Sequence, residues 1–194
     1  MKGSEILGQV RESVASDFRC PAHGGCVTVT ETLAGGRTYT FELKTTAPAV
    51  VFTLDVRGGK KPFGVFNEGV AGLTAKCDLI VVTITDEPNA RPVVFVIEVK
   101  SSNRKGAQKQ LNAGASFVHY LFDLLRVTEP RIPEPTVLSV LVHTAPKPPM
   151  GTTKPPSLAF VAVGHKGLLR TEWNRDVPLS LLSLRKAAVA GGHV

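Results

Sequence analysis

The stretch from Cys77 to Ser102, CDLIVVTITDEPNARPVVFVIEVKSS, constrains the fold more than any other part of the chain. Two apolar runs rich in valine and isoleucine flank a polar turn containing two prolines, which is the pattern of a buried antiparallel hairpin. Each run carries one carboxylate, Asp78 or Glu98, among apolar neighbours. A carboxylate inside a buried strand is costly to desolvate unless something pairs with it or binds it.

Paired residues in a hairpin have numbers that sum to a constant, and Asp78 with Glu98 centres the hairpin on Pro88, inside the turn. On this register the two acids face each other. Opposed carboxylates repel unless a cation lies between them, and hard divalent cations such as Mg²⁺ prefer carboxylate, carbonyl and water oxygens. The pair therefore predicts a site for Mg²⁺ or Mn²⁺. Side chains two apart on a strand share a face, so Lys100 projects beside Glu98 while Val99 points into the opposite layer. Two acids, a metal and an ammonium suit a negatively charged reacting group, with water activation and charge neutralisation by the metal and orientation by the lysine.

The rest of the chain supplies elements to pack on this hairpin. Ser4 to Ser16 reads as a helix capped by Ser4, with Ile6, Leu7, Val10 and Val14 at helical spacing. CVTVTETL and RTYTFELKTT alternate apolar and polar residues around an AGG turn, a second hairpin, and AVVFTLDV is a further strand. From Lys105 to Arg126 two apolar stripes, Leu111, Ala115, Val118, Phe122, Leu125 and Gly114, Phe117, Leu121, Leu124, make a helix with a wide buried face. TVLSVLVHT reads as a buried strand, SLAFVAVG as the last strand and VPLSLLSLRKAAVA as a closing helix. The expected fold is α/β, a central mixed β-sheet flanked by helices, in one domain spanning 1–194. Its core motif region is 68–126, and a proline-rich loop covers 146–156.

Lys and Arg outnumber Asp and Glu by 23 to 16, a formal charge of +7 that favours a polyanionic partner. No apolar run approaches the length needed to span a bilayer, and the charged N-terminus lacks the apolar middle of a secretory signal. Three cysteines fit a reducing compartment better than a disulfide framework. Cytoplasmic localisation without a membrane partner is the expectation.

CDLIVV, then IEVKSS, then a helix beginning KGAQKQL resembles the PD-(D/E)xK nuclease superfamily, which has the restriction-endonuclease-like fold. The resemblance runs from Glu68 to Tyr120. It implies metal ligands Asp78, Glu98 and the Val99 carbonyl, Lys100 as the group assisting the attacking water, and a glutamine from the following helix, Gln108 or Gln110. An additional acid would come from Glu5, Glu12 or Glu68. Cys77 stands where that family often has proline, and the glutamine is not followed four residues later by tyrosine, so no branch of the superfamily is indicated.

The implied activity is Mg²⁺- or Mn²⁺-dependent hydrolysis of nucleic-acid phosphodiester bonds, with DNA as the favoured substrate, leaving 5′-phosphate and 3′-hydroxyl ends. Restriction, phage defence, recombination and repair all use such enzymes. The chain would act as a homodimer or as a subunit of a larger nucleic-acid-processing complex. The alternative is a non-catalytic nucleic-acid-binding or assembly module that retains the nuclease fold. A scaffold in which the acid pair is merely salt-bridged to Lys76 and Lys100 is a third reading.

Lys76, Arg104, Lys105 and Lys109 cluster around the motif and are candidates for phosphate contacts. Cys20, His23 and Cys26 have a C-x2-H-x2-C spacing that resembles part of a zinc site, with no fourth ligand nearby.

Overall fold

The computed structural model describes residues 1–32, 38–45, 47–56, 74–85, 87, 90–100, 106–144, 161–163, 168–173 and 179–190. Its architecture is α/β: helix α1 (Gly3–Ser13), strands β1 (Cys26–Thr32), β2 (Thr38–Lys44), β3 (Ala49–Phe52), β4 (Leu79–Thr83) and β5 (Val93–Lys100), helix α2 (Ala107–Thr128), strands β6 (Thr136–Thr144), β7 (Val161–Val163), β8 (Leu168–Trp173) and β9 (Leu179–Ser180), and helix α3 (Leu181–Ala190).

The main sheet is mixed, in the order β3-β4-β5-β6-β8-β7. Strand β4 is antiparallel to both its neighbours, β3 and β5, whereas β6 runs parallel to β5 and β8 parallel to β6. A parallel neighbour needs a crossover rather than a tight turn, and α2 supplies it between β5 and β6. Every residue of β4 is buried, as are all of β5 up to Val99. This explains why their sequences read as continuous apolar runs instead of alternating ones.

Alternation still assigns the faces. Ile80, Val82, Val94 and Val96 pack with Ile6, Leu7, Val10 and Val14 of α1 and with Leu111, Val118 and Phe122 of α2. Leu79, Val81, Phe95, Ile97 and Val99 point the other way, onto Val27 and Leu43 of the small β1-β2-β9 sheet and Leu181, Leu184 and Ala188 of α3. The outer edge of β3 is covered by 18–20: the Cys20 N–H donates to the Val51 carbonyl at 2.8 Å and the Thr53 N–H to the Phe18 carbonyl at 2.9 Å.

Several expectations change in detail. Helix α1 starts at Gly3, one residue before Ser4, and the Glu5 carboxylate accepts the Lys2 backbone N–H at 2.8 Å, so Ser4 is not the cap. Leu124 is 48% exposed because it lies at the margin of the buried stripe of α2. SLAFVAVG is not the last strand: β8 follows it and inserts between β6 and β7, and Leu179 and Ser180 pair with β2 before α3 begins. The AGG turn of the first hairpin and the loop 146–156 lie outside the described residues.

Candidate functional site

The β4–β5 ladder has the register expected from the acid pair, Leu79 opposite Ile97 through to Thr83 opposite Val93. One step beyond Leu79 the same register sets Asp78 opposite Glu98, at the end where β4 stops and β5 continues. By strand alternation Glu98 and Lys100 share the face of Val94 and Val96, which carries α1 and α2, and Val99 is buried in the opposite layer.

The Asp78 side chain turns onto the strand end. Its Oδ2 accepts the Val99 backbone N–H at 2.6 Å, a charge-assisted bond that extends the ladder by one rung after β4 has ended. Residues of a strand point N–H and C=O to the same side, so the Val99 carbonyl opens towards β4 as well. Glu98 is fully buried, and its Oε1 is in contact with the Lys100 ammonium, whose side chain retains 18% exposure. The lysine thus brings positive charge to the buried acid and leads it to the surface.

Helix α2 closes over this end of the sheet. A Cβ on Gly114 would lie 2.6 Å from Val96 Cγ1 and 2.7 Å from Cys77 Sγ, so only glycine permits the helix to sit so low. Below it the Cys77 thiol is pushed far up from its ordinary range, by burial first and then by the negative charges of Glu98 and Asp78. One turn earlier the Gln110 side-chain amide donates to the Lys76 carbonyl at 3.0 Å, two residues before Asp78. Gln108 instead faces solvent and donates to Asn112 Oδ1 at 2.8 Å. Of the two candidate glutamines, Gln110 alone reaches the segment that carries Asp78.

Neither candidate acid of α1 joins the pair. The first residue of α1 packs against Ile84 and Thr85, placing Glu5 at the far end of β4, roughly 20 Å along the strand from Asp78. Glu12 is exposed on the solvent face of α1. Glu68, Arg104 and Lys105 lie outside the described residues. Lys109 is exposed in the first turn of α2.

Lys76 pairs with Asp55, its Nζ 3.4 Å from Oδ1, and not with the acid pair. Asp55 was not singled out in the sequence, although it closes the apolar run AVVFTLDV as Asp78 opens LIVV. It follows Phe52, which pairs with Ile80, and so belongs to the same end of the sheet.

The C-x2-H-x2-C segment is a tight hairpin. His23 and Cys26 exchange backbone hydrogen bonds at 2.8 and 3.0 Å across Gly24 and Gly25, both at positive φ, 59° and 78°. Cys20 lies on the β3 edge strip, half-buried, its thiol pushed up to about 11 by burial.

Among the described residues, no three His, Cys, Asp or Glu side chains are grouped to hold a metal ion. A cation at the open end of the ladder would draw on two carboxylates, Asp78 and Glu98, and the Val99 carbonyl. That all-oxygen donor set fits a hard divalent ion and not zinc. The chain matches no protein-family model, no curated protein and no solved structure. Among the described residues no helix is long and apolar enough to cross a membrane.

Proposed function

We propose that this chain is a Mg²⁺- or Mn²⁺-dependent nuclease of the PD-(D/E)xK type, with a restriction-endonuclease-like core, that hydrolyses phosphodiester bonds in nucleic acid, DNA being the favoured substrate. The observation that supports the reading is the meeting of Asp78 with the Glu98–Lys100 pair at the end of the β4–β5 ladder, where the Asp78 carboxylate accepts the Val99 N–H. A divalent cation, when bound, supplies charge beside the scissile phosphate and activates water.

The protein's own groups do the rest. Asp78 is aimed by the Val99 N–H, and the backbone just before it is held by Gln110. Glu98 is fixed by burial and by Lys100. The Lys100 ammonium, the most outward of the three groups along β5, orients the attacking water and offsets charge developing on the phosphate. The formal charge of +7 favours a polyanionic substrate. In this reading the protein works in the cytoplasm, as a homodimer or as a subunit of a larger nucleic-acid-processing assembly.

The test is cleavage of plasmid DNA, single-stranded DNA and RNA in Mg²⁺, Mn²⁺ and EDTA, by the native protein and by the Glu98→Gln and Lys100→Met variants. Metal-dependent cleavage lost in both variants supports the reading. Nucleic-acid binding without cleavage by folded native protein replaces it with a binding or assembly module.

A further inference from the structure

An open cleft of about 410 Å³ lies at the outer edge of β3, between the last turn of α1, the segment 16–22 and the start of β1. It is separate from the acid pair: Val51 in its floor pairs with Val81, three residues along β4 from Asp78, or about 10 Å on the strand rise alone.

The charged groups that line the cleft are cationic. Among the described residues Arg11 and Arg19 border it, no Asp or Glu does, although Asp17 accepts from the lining Ser16, and neither arginine makes an ion pair. Both arginines are exposed at the rim, and the planar fork of arginine matches the oxygens of a phosphate. The Ser16 hydroxyl donates to Asp17 Oδ1 at 3.5 Å and the Thr45 hydroxyl to the Gly25 carbonyl at 3.1 Å, while Val27 and Val51 provide an apolar wall. The Cys20 thiol, raised to about 11 by burial, stays neutral at physiological pH and adds no negative charge. The volume falls within the range of small-ligand sites.

We propose that this cleft binds a nucleoside phosphate, with Arg11 and Arg19 on the phosphate and the apolar wall against the sugar or base. The ligand is either a free nucleotide or the 5′-phosphorylated end of a strand, which share this chemistry. The proposal does not depend on the acid pair being a nuclease centre.

The test is calorimetric titration in EDTA, so that no metal at Asp78 and Glu98 contributes and a failed cleavage assay leaves the result intact. The probes are a nucleoside 5′-monophosphate, the matching nucleoside, and a short oligodeoxynucleotide with and without a 5′-phosphate. The proteins are native, Arg11→Gln and Arg19→Gln, each checked for a native melting transition, with Arg19→Lys as a milder second variant.

We expect the phosphorylated probes to bind, the unphosphorylated ones to fail, and each glutamine variant to weaken binding by about tenfold. A monophosphate preferred over the phosphorylated strand identifies a free-nucleotide site, and the reverse order identifies a strand-end site. Equal binding with and without phosphate, native-like binding by both arginine variants, or no binding of any phosphorylated probe at millimolar concentration overturns the proposal.

Discussion

The Asp78 carboxylate accepts the backbone N–H of Val99 at 2.6 Å, at the point where β4 has ended and β5 runs on. A side chain thereby takes the role of the next ladder partner, so the carboxylate is held in one orientation and the Val99 peptide is tied to it. If Asp78, Glu98 and the Val99 carbonyl hold a divalent cation, saturating Mn²⁺ or Mg²⁺ raises the melting temperature by about 5–10 °C in a chain of this size. The shift disappears in Asp78→Asn, as differential scanning fluorimetry with and without EDTA reports.

Glu98 and Lys100 form a pair in which the acid is fully buried. Removing one member of a buried pair strands the other, so Lys100→Met lowers stability by about 3 kcal/mol. Glu98→Gln combined with Lys100→Met costs less than the sum of the two single changes, because the double variant leaves no stranded charge. Urea denaturation of the four proteins measures this coupling.

Gly114 marks the closest approach of α2 to the sheet. Ala in place of Gly favours a helix interior by about 1 kcal/mol, yet here its Cβ would meet Val96 and Cys77 well inside contact distance. Gly114→Ala is therefore expected to destabilise by about 1–3 kcal/mol. A denaturation midpoint equal to or above that of the native protein would show that α2 lifts without cost.

Glu129 follows the last turn of α2, where a negative charge opposes the helix dipole. Hydrogen bonding from Arg131 lowers its carboxyl to about 2. A depressed carboxylate contributes its stability in full above the unfolded value, about 4.3, and loses it as pH falls through that value towards 2. Carbon-detected NMR titration should give a midpoint near 2 for Glu129, returning towards about 4.3 in Arg131→Ala. Since the pair is exposed, its effect on global stability should be small and salt-sensitive.

Much of the fold and of the candidate site was legible in one dimension because local pattern determines it. The apolar runs around the DEPNARP turn specified the hairpin, and the sum rule gave the register that pairs Leu79 with Ile97, one residue inside Asp78 and Glu98. Strand alternation put Lys100 with Glu98 and sent Val99 to the other layer. The apolar stripes of α2 marked the helix that covers them.

What local pattern cannot carry is pairing between distant segments. Strand β8, LLRTEW, was not among the segments read as strands, and it pairs parallel to β6. The same limit applies at the site. The resemblance left Glu5, Glu12 and Glu68 open as the extra acid and Gln108 and Gln110 as the glutamine; in the structure α1 enters at the Thr85 end, and Gly114 lets α2 drop low enough for Gln110 to reach the Lys76 carbonyl. Backbone periodicity, readable residue by residue, sets which residues share a strand, a face and a register. Which elements meet is settled by packing, which brought Asp55 to Lys76 and left Arg11 and Arg19 on one cleft, because burial and contact depend on neighbours far away in the chain.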